Sequence, residues 1–572
     1  MAASLPTADN SRLPPIPLVE GPLAIHVVFP AEGAPLAGTD SEYMIGSVGD
    51  GRASLTVNGH PATVYPNGAF MAFVPNATPA SPRFDLVATL PHDTARYTHN
   101  LKPPDRLPLE GRLVVDTSEF GQRTALFLRD SDRTTLSIRI PANASAFYTS
   151  PYRTTLAFNR SGDVASRVFY GIDLRQPGSI VVARNGDTLR IPVGAILGPR
   201  ADAPTFVRLG KGMALTDTDA VIYGRTLPNE NYKWFLLPGT VAELTGRNGA
   251  GFTRIRVAED LEMWVADADV DSTVPRPLRR TTSNGRIRST PLSADLVIPI
   301  NSTPPFFVEE HGRDVDLVLY GVVGNTDIIN YATNDSLIRA VTWEQESADR
   351  IRFHVQLTQQ PFGYMVLRES GNFILRIRRI PAIDAQRPLR GRVIAIDPGH
   401  PPSGATGPTS LYEGQAVLWV GEAVKAMLEA KGATVVMTRT TMDTLGLPPR
   451  RTIPRRADAE AFVSIHLNAY PDGVNPFVAS HGSGTYFFRT HAEPLARAVQ
   501  QRLLEQMGLH DEGTFYRSLA VTVQTWMPAV LTEGAFVIIP EQEAALRTTA
   551  FQERYARAIV DGLEAYFRGL AH

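Results

Sequence analysis

The sequence predicts a multidomain protein: several all-β modules followed by an α/β domain with a mostly parallel sheet covered by helices on both faces. Three observations support this prediction. The chain has 572 residues, which is too long for a single hydrophobic core. As far as residue 381, short runs alternate apolar and polar residues between turn signals, as half-buried strands do. From residue 392, strand-like runs alternate with helix-length segments, which is typical of parallel sheets.

Composition excludes several classes of partner and site. The 56 Lys and Arg residues nearly balance the 58 Asp and Glu residues, so no bulk charge favours nucleic acid or anionic lipid. Cysteine is absent, which excludes disulfides and leaves His, Asp and Glu as the only strong metal ligands. No apolar run approaches 18 residues, so we expect no membrane span. The first residues lack the basic start and apolar core of a signal peptide, and an exported form of this chain would be a mature or trimmed one.

The first two segments are a polar lead and a β-module. Residues 1–20 are rich in proline and small polar residues, and we expect them to be disordered. In residues 21–100, a strand-like run at 53–57 precedes the pair Asn58-Gly59, a strong signal for a two-residue hairpin turn. This module resembles a bacterial immunoglobulin-like sandwich, of the kind that spaces or docks surface enzymes.

Two further β-modules follow. Residues 101–200 are β-rich but carry no motif that identifies their type. Residues 201–272 contain the runs 235–246 and 252–257, and they resemble a bacterial Src-homology-like barrel. Such barrels often accompany cell-wall hydrolases.

The last β-module precedes a short linker. Residues 275–381 contain alternating runs at 316–320, 352–357 and 373–378, each typical of a half-buried strand. The segment loosely resembles the small β-domains called AMIN, which bind the bacterial cell wall. A polar linker at 382–391 joins it to the α/β domain.

The α/β domain occupies residues 392–572. Gly432 directly follows a helical pattern, where glycine commonly ends a helix. The predicted elements are strands at 392–397, 433–438, 461–466, 484–488 and 529–533, and helices at 412–431, 490–507 and 541–568.

Side chains that can bind a metal follow the first and third of these strands. The sequences are Asp-Pro-Gly-His at 397–400 and Ser-Ile-His-Leu-Asn at 464–468. In open α/β sheets, ligands bind at the carboxyl ends of strands. Glu413, which opens a predicted helix, adds a carboxylate. Two histidines and one carboxylate match a catalytic zinc site that keeps one position for water, so we predict one zinc ion held by His400, Glu413 and His466.

These motifs carry a family resemblance. Residues 391–570 resemble the zinc-dependent N-acetylmuramoyl-L-alanine amidases that cut bacterial peptidoglycan. The resemblance rests on four motifs in the family's order: Asp-Pro-Gly-His at 397–400, Glu413 at a helix start, Ser-Ile-His-Leu-Asn at 464–468 and Leu-Thr-Glu-Gly-Ala-Phe at 531–536. It implies that His400, Glu413 and His466 are the zinc ligands and that Glu533 is the catalytic glutamate. The sequence departs from the family at 401–407, where two prolines replace glycine-rich sequence, and at Gly414, where the family often has lysine.

Other polar residues near the motifs have two possible roles each. Glu533 ends an apolar strand and could pass a proton from zinc-activated water to the leaving amine; otherwise it bonds a metal ligand or caps a helix. Asp397 and Asn468 could hold the second ring nitrogen of a ligand histidine or shape the loops. His481 could contact substrate or be an ordinary loop residue.

Four arginines lie between the second strand and the second histidine, and we expect structural ion pairs from them rather than glycan binding. They are Arg439, Arg450, Arg451 and Arg456.

The resemblance implies an exported peptidoglycan hydrolase of the periplasm or cell envelope. It would cleave the amide between N-acetylmuramic acid and L-alanine, with the β-modules placing it on peptidoglycan or muropeptides. Partners in cell division or wall remodelling are not specified by the sequence. Two alternatives stay open: a zinc peptidase or deacylase of the same fold that cuts another amide, and an inactive wall-binding scaffold. An intact Glu533 argues against the scaffold.

Overall fold

The structure is a computed structural model, and it describes residues 13–103, 109, 113–117, 127–151, 155–199, 202–215, 217–228, 230–248 and 251–571. The first twelve residues of the predicted lead therefore lie outside the described residues. Residues 13–20 have no regular secondary structure, although the backbone N–H of Val19 donates to Pro66 O at 2.9 Å.

The chain divides into two compact units. Unit 1 comprises Met1–Asp105, Phe362–Tyr364 and Ile380–His572, and unit 2 comprises Arg106–Pro361 and Met365–Arg379. The first β-module and the α/β domain thus belong to the same unit, although more than 250 residues of sequence separate them.

The first β-module of unit 1 is a seven-stranded antiparallel sheet in the order β1-β2-β5-β4-β3-β6-β7. The expected hairpin is present, because β3 pairs with β4 through Asn58 and Gly59, which both have positive φ. The strands are β1 (His26–Phe29), β2 (Ser41–Ser47), β3 (Ser54–Val57), β4 (His60–Val64), β5 (Ala69–Pro75), β6 (Arg83–Leu90) and β7 (Asp93–Asn100).

In the described residues of unit 2, the regular secondary structure is mainly β-strand, as the alternating runs predict. Its first strands are β8 (Arg133–Arg139), β9 (Ser145–Thr149), β10 (Thr155–Ala157), β11 (Asn159–Ser161), β12 (Val164–Tyr170), β13 (Gly178–Arg184) and β14 (Asp187–Val193). They form a four-stranded sheet, β10-β9-β13-β14, and a three-stranded sheet, β11-β12-β8.

The segment predicted as a barrel forms a seven-stranded sheet in the order β17-β16-β20-β19-β18-β15-β21. Every strand pair in it is antiparallel. Its strands are β15 (Phe206–Leu209), β16 (Ile222–Arg225), β17 (Tyr232–Leu236), β18 (Val241–Arg247), β19 (Phe252–Ala258), β20 (Leu261–Ala266) and β21 (Val270–Val274).

The remaining strands of unit 2 form a five-stranded sheet, β28-β23-β24-β32-β31, a four-stranded sheet, β25-β26-β30-β29, and the pair β22-β27. They are β22 (Arg280–Thr281), β23 (Gly285–Ser289), β24 (Ser293–Pro299), β25 (Phe306–His311), β26 (Asp314–Tyr320), β27 (Val322–Val323), β28 (Ile329–Asn330), β29 (Ile338–Ser347), β30 (Arg350–Leu357), β31 (Tyr364–Glu369) and β32 (Asn372–Arg378).

The α/β domain is built on a six-stranded sheet in the order β34-β33-β35-β38-β36-β37. All neighbouring strands run parallel except β36 and β38, which are antiparallel. The elements are β33 (Val393–Pro398), α1 (Glu413–Ala430), β34 (Thr434–Met437), α2 (Leu447–Arg456), β35 (Ala461–Asn468), β36 (Gly482–Phe487), α3 (Glu493–Met507), β37 (His510–Tyr516), β38 (Ala529–Phe536), α4 (Pro540–Leu546) and α5 (Thr549–Leu570).

Helices α3 and α5 cover one face of this sheet. Thr485 of β36 donates a hydrogen bond to Gln500 of α3 at 2.9 Å, and the hydroxyls of Thr532 in β38 and Tyr555 in α5 lie 2.7 Å apart. Alternate residues of β36 and β38, including Glu533, therefore point to the opposite face. None of the helices in the described part of the chain is both long and apolar enough to cross a lipid bilayer.

The elements differ from the sequence prediction at three places. The single helix expected at 541–568 is two helices, because the chain turns at Arg547 and the Thr548 side chain then accepts the N–H of Phe551 as an N-cap. Helix α2 was not predicted, since its prolines and arginines carry no apolar periodicity. Strand β37 was not predicted either, because its sequence is largely polar and contains Gly513.

Candidate metal centre and active site

Three side chains converge at the carboxyl edge of the α/β sheet, from the loop after β33, the start of α1 and strand β35. Glu413 Oε1 lies 3.1 Å from His400 Nε2 and 3.2 Å from His466 Nδ1. One possible ligand atom from each of these residues lies within 4.8 Å of the others. Since zinc binds nitrogen and oxygen at about 2 Å, one ion can reach all three donors, and the two-histidine, one-carboxylate set is chemically suited to it.

Parallel pairing of β33 with β35 brings the two histidines together. Asp397 is in register with Ser464, and the backbone N–H of Gly399 donates to Ile465 O at 2.9 Å. The turn at Gly399 passes so close to the His466 ring that a Cβ there would lie 2.4 Å from ring atoms. Glycine is therefore required at 399, because any side chain would displace His466.

Glu413 is the buried member of the group and the first residue of α1. Its Oε2 accepts the backbone N–H of Ala405 at 3.0 Å, and its Oε1 accepts that of Leu467 at 2.9 Å. Burial by itself raises the pKa of Glu413, but hydrogen bonds and charge from His400 and His466 outweigh it and lower the pKa to about 2. The carboxylate is thus ionised at neutral pH, as a metal ligand must be.

Glu533 lies beside this group on β38. It is in register with His466 of β35 on one side and with Gly484 of β36 on the other. Its Oε2 is buried and has no hydrogen-bond partner among the residues that the structure describes. Burial, and then the negative charge of Glu413, raise the pKa of Glu533 well above its ordinary value. A carboxyl group with a raised pKa holds a proton more strongly than an ordinary glutamate does, which suits a general acid–base group.

The α/β domain matches a known family. The sequence model of the N-acetylmuramoyl-L-alanine amidases matches residues 394–565. YqiI of Bacillus subtilis (strain 168), an uncharacterised protein, is 31% identical over 199 residues, which are 34% of this chain and 93% of YqiI. This chain belongs to the N-acetylmuramoyl-L-alanine amidase family.

Two other relatives cover the same part of the chain. The amidase LytC of Bacillus subtilis (strain 168) is 31% identical over 213 residues, 35% of this chain and 42% of LytC. The probable cell wall amidase LytH of Staphylococcus epidermidis (strain ATCC 35984) is 31% identical over 187 residues, 32% of this chain. The chain thus spans 42% of the length of LytC and 61% of that of LytH.

Among solved structures, the catalytic domain of the amidase CwlV from Bacillus (Paenibacillus) polymyxa var. colistinus is 34% identical. The similarity has a TM-score of 0.29 and covers 31% of this chain and 97% of the CwlV domain.

Within the amidase domain, Asp397 shapes the turn before His400. Its Oδ2 accepts the Ser464 hydroxyl, and its Oδ1 accepts the Thr438 hydroxyl and the Arg450 guanidinium, the latter at 2.7 Å. Of its two predicted roles, these contacts favour the shaping of the loop. The second ring nitrogen of His400 instead lies 3.2 Å from Pro402 O, a backbone partner that the sequence pattern did not indicate.

Asn468 and His481 mark the two ends of the loop that leaves the site. The Asn468 side chain accepts the N–H of Ala469, so its contacts are local. His481 Nδ1 lies 3.1 Å from Ala479 O, and its ring is 6.4 Å from that of Phe536. Neither side chain has a hydrogen bond to His400, Glu413 or His466 among the described contacts, and substrate contact by His481 stays a prediction.

Two of the four arginines fix the backbone around the histidine turn. Arg439 donates to Pro398 O and Gly399 O at 2.8 and 2.7 Å. Arg450 donates to Pro398 O at 2.9 Å and to His400 O at 3.0 Å. For these two arginines, the bonds agree with the expected structural role. In the described contacts, the side-chain neighbours of the Glu413 carboxylate are the two histidines.

Glu543 is a structural residue that the sequence analysis missed. It is buried in α4 and accepts the backbone N–H groups of Thr409 and Leu411, each at 3.0 Å. Both donors lie in the segment that leads to Glu413. Helix α4 therefore holds the approach to a candidate metal ligand, and only long-range contacts reveal this role.

Proposed function

We propose that this protein is a zinc-dependent peptidoglycan hydrolase that cleaves the amide between N-acetylmuramic acid and L-alanine of the stem peptide. The observation that carries the proposal is the convergence of His400, Glu413 and His466 beside Glu533, whose Oε2 is buried and has no partner in the described chain. The bond cleaved follows from membership of the amidase family.

We assign metal binding and proton transfer to different residues. His400, Glu413 and His466 would hold one zinc ion, which when bound polarises a carbonyl and acidifies a water molecule. Glu533 accepts a proton from the attacking water and returns it to the departing alanine nitrogen. The raised pKa of Glu533 suits this exchange, because a carboxyl group of ordinary pKa would hold the proton too weakly to deliver it.

Two further statements, on the site of action and on the fold of the α/β domain, belong to the proposal. The relatives named as cell wall amidases support a site of action at the cell envelope, with peptidoglycan or muropeptides as substrate. We also retain the prediction that helices cover both faces of the sheet, since α2 contacts β33 and α4 contacts β38 in addition to the helices already described.

A soluble disaccharide–tetrapeptide muropeptide distinguishes the candidate functions. Incubation with the zinc-loaded full chain should release the free tetrapeptide and the intact disaccharide, identified by mass spectrometry. Cleavage within the peptide would favour a zinc peptidase on the same fold, and no cleavage would favour a wall-binding scaffold. Chelation should abolish the activity, and added zinc should restore it. The Glu533→Gln variant is the matched control for a contaminating hydrolase.

A further inference from the structure

A loop of residues 469–481, here called the cleft loop, joins β35 to β36. It begins directly after the strand that carries His466, and it ends three residues before Gly484, the register partner of Glu533. The loop therefore runs from the candidate metal ligands to the candidate proton carrier. Two of its apolar residues are solvent-exposed, Phe477 by 42% and Val478 by 63%.

The base of the cleft loop is fixed to the α/β domain. The Tyr470 ring lies 4.8 Å from that of Phe536, which is three residues beyond Glu533. The Tyr470 hydroxyl donates to Ser480 O at 2.6 Å and so ties the two ends of the loop together.

The outer side of the cleft loop is bonded to the first β-module. The Tyr43 hydroxyl of β2 donates to Tyr470 O at 2.9 Å, and the backbone N–H of Gly473 donates to Glu42 Oε1 at 3.1 Å. The contact is close as well as polar, since a Cβ on Gly473 would lie 2.6 Å from Thr39 Cγ2.

A shared hydrophobic core supports this contact. Strand β2 is apolar on both sides. Met44 packs in the module's own core, whereas Tyr43 and Ile45 belong to one buried cluster with Phe536 and Ile539 of the α/β domain. A module that served only as a tether would present a polar outer face to solvent. Burial of both faces indicates that the module is a fixed part of the catalytic unit.

We propose that the first β-module forms one wall of the substrate cleft, and that Glu42 and Tyr43 are positioning residues that hold the cleft loop in its substrate-binding conformation. The inference deepens the proposed amidase function and rests on it. The ligand held by the loop is the glycan–peptide substrate itself. The module thereby has a role in catalysis on soluble fragments, in addition to any role in wall targeting.

This role predicts a specific kinetic signature. Neither Glu42 nor Tyr43 is a candidate metal ligand, so zinc content should not depend on them. If the loop loses a fixed hydrogen bond, only a fraction of molecules has the binding conformation, and the apparent affinity for substrate falls by that fraction. KM should therefore rise while kcat changes little.

The test compares two variants at the contact with two matched controls. Tyr43→Phe deletes one hydroxyl and retains the ring, which stacks on Phe29 at 4.5 Å. Tyr97→Phe deletes a hydroxyl of the same module that bonds Glu32 instead. Gly473→Ala and Gly59→Ala both place a side chain at positive φ, but only the first also meets a neighbour within 4 Å.

We expect Tyr43→Phe to raise KM for soluble muropeptide by about 3- to 10-fold, the effect of one lost hydrogen bond, and Gly473→Ala to raise it further. Zinc content should equal that of the wild type, kcat should stay within about twofold, and both controls should behave as wild type. Wild-type KM values in both contact variants would overturn the proposal, as would a loss confined to kcat.

Hydrogen exchange separates this proposal from the proposed function. Backbone amides of the cleft loop should exchange faster in Tyr43→Phe than in Tyr97→Phe, whether or not the protein cleaves muropeptides. If the wild-type protein does not cleave muropeptides but the cleft loop still exchanges faster in Tyr43→Phe, the amidase function is refuted and the positioning role is retained. Equal exchange rates in the two variants would refute the positioning role.

Discussion

Among the residues that the structure describes, two groups of histidine and carboxylate side chains are spaced closely enough for a metal ion, and they differ in what surrounds them. One is His400, Glu413 and His466; the other is Glu309, His311 and Asp316 on the four-stranded sheet of unit 2. In each group, potential ligand atoms lie within 4.8 Å of one another. Spacing alone therefore does not distinguish a metal site from an ion-pair network.

The difference lies in the cations nearby. In the second group, Arg352 Nη1 bonds Glu309 and lies 2.8 Å from Asp316 Oδ2, so an arginine already occupies the space between the carboxylates. The His311 side chain is 59% exposed to solvent. In the first group, the nearby Arg450 bonds Asp397 and backbone carbonyls instead. A carboxylate that faces two histidines and no arginine is available to a divalent cation.

The largest effect should come from removal of one histidine from each group. His466→Ala should lose nearly all bound zinc and the activity with it, because two remaining ligands hold the ion weakly. His311→Ala should keep one zinc ion per chain and wild-type turnover. Elemental analysis and muropeptide assays measure both. A full zinc complement in His466→Ala would contradict the ligand assignment.

Substitution of Glu413, which belongs to the first group, and of Glu533, which lies beside it, should separate metal binding from proton transfer. Glu533→Gln should keep zinc and substrate binding but lower turnover by roughly 10²- to 10⁴-fold, the usual range for loss of a general acid–base group. Glu413→Gln should lose zinc affinity, because a charged ligand becomes neutral. Wild-type turnover in Glu533→Gln, or zinc loss in that variant, would show that the two roles are wrongly divided.

The pH dependence of kcat/KM should report the raised pKa of Glu533. A general base acts only when deprotonated, so activity should rise with pH through a midpoint well above 4.5, the ordinary value of a glutamate. The acid limb should be absent from the residual activity of Glu533→Gln. A midpoint near 4.5 would mean that Glu533 is not the titrating base.

The smallest effect on zinc binding should come from substitution of Arg352, which bonds both carboxylates of the second group. In a His466→Ala background, Arg352→Met removes the cation between Glu309 and Asp316 and should allow weak zinc binding there, measured by equilibrium dialysis. Arg376→Met is the matched control, because Arg376 pairs with Asp295, which belongs to neither group. Equal zinc binding in the two variants would show that competition by Arg352 is not what distinguishes the groups.

The sequence by itself determined the candidate site to a large extent. His400 and His466 each follow an apolar strand, and the carboxyl ends of parallel strands meet at one edge of a sheet. A helix start pointed to Glu413 and a strand end to Glu533, and the family resemblance supplied the role of each. The pair Asn58-Gly59 determined its hairpin through its backbone preferences. These features depend on residues close together in the chain, which is why they can be recognised without a structure.

Only the tertiary structure decided which residues support the site and what the first β-module packs against. The bonds of Glu543 to Thr409 and Leu411 join residues more than 130 positions apart, and that of Tyr43 to Tyr470 spans 427 positions. Local apolar periodicity shows that a strand face is buried but not against which element. The identity of that partner depends on the complementarity of two distant surfaces, a property that exists only once both have folded.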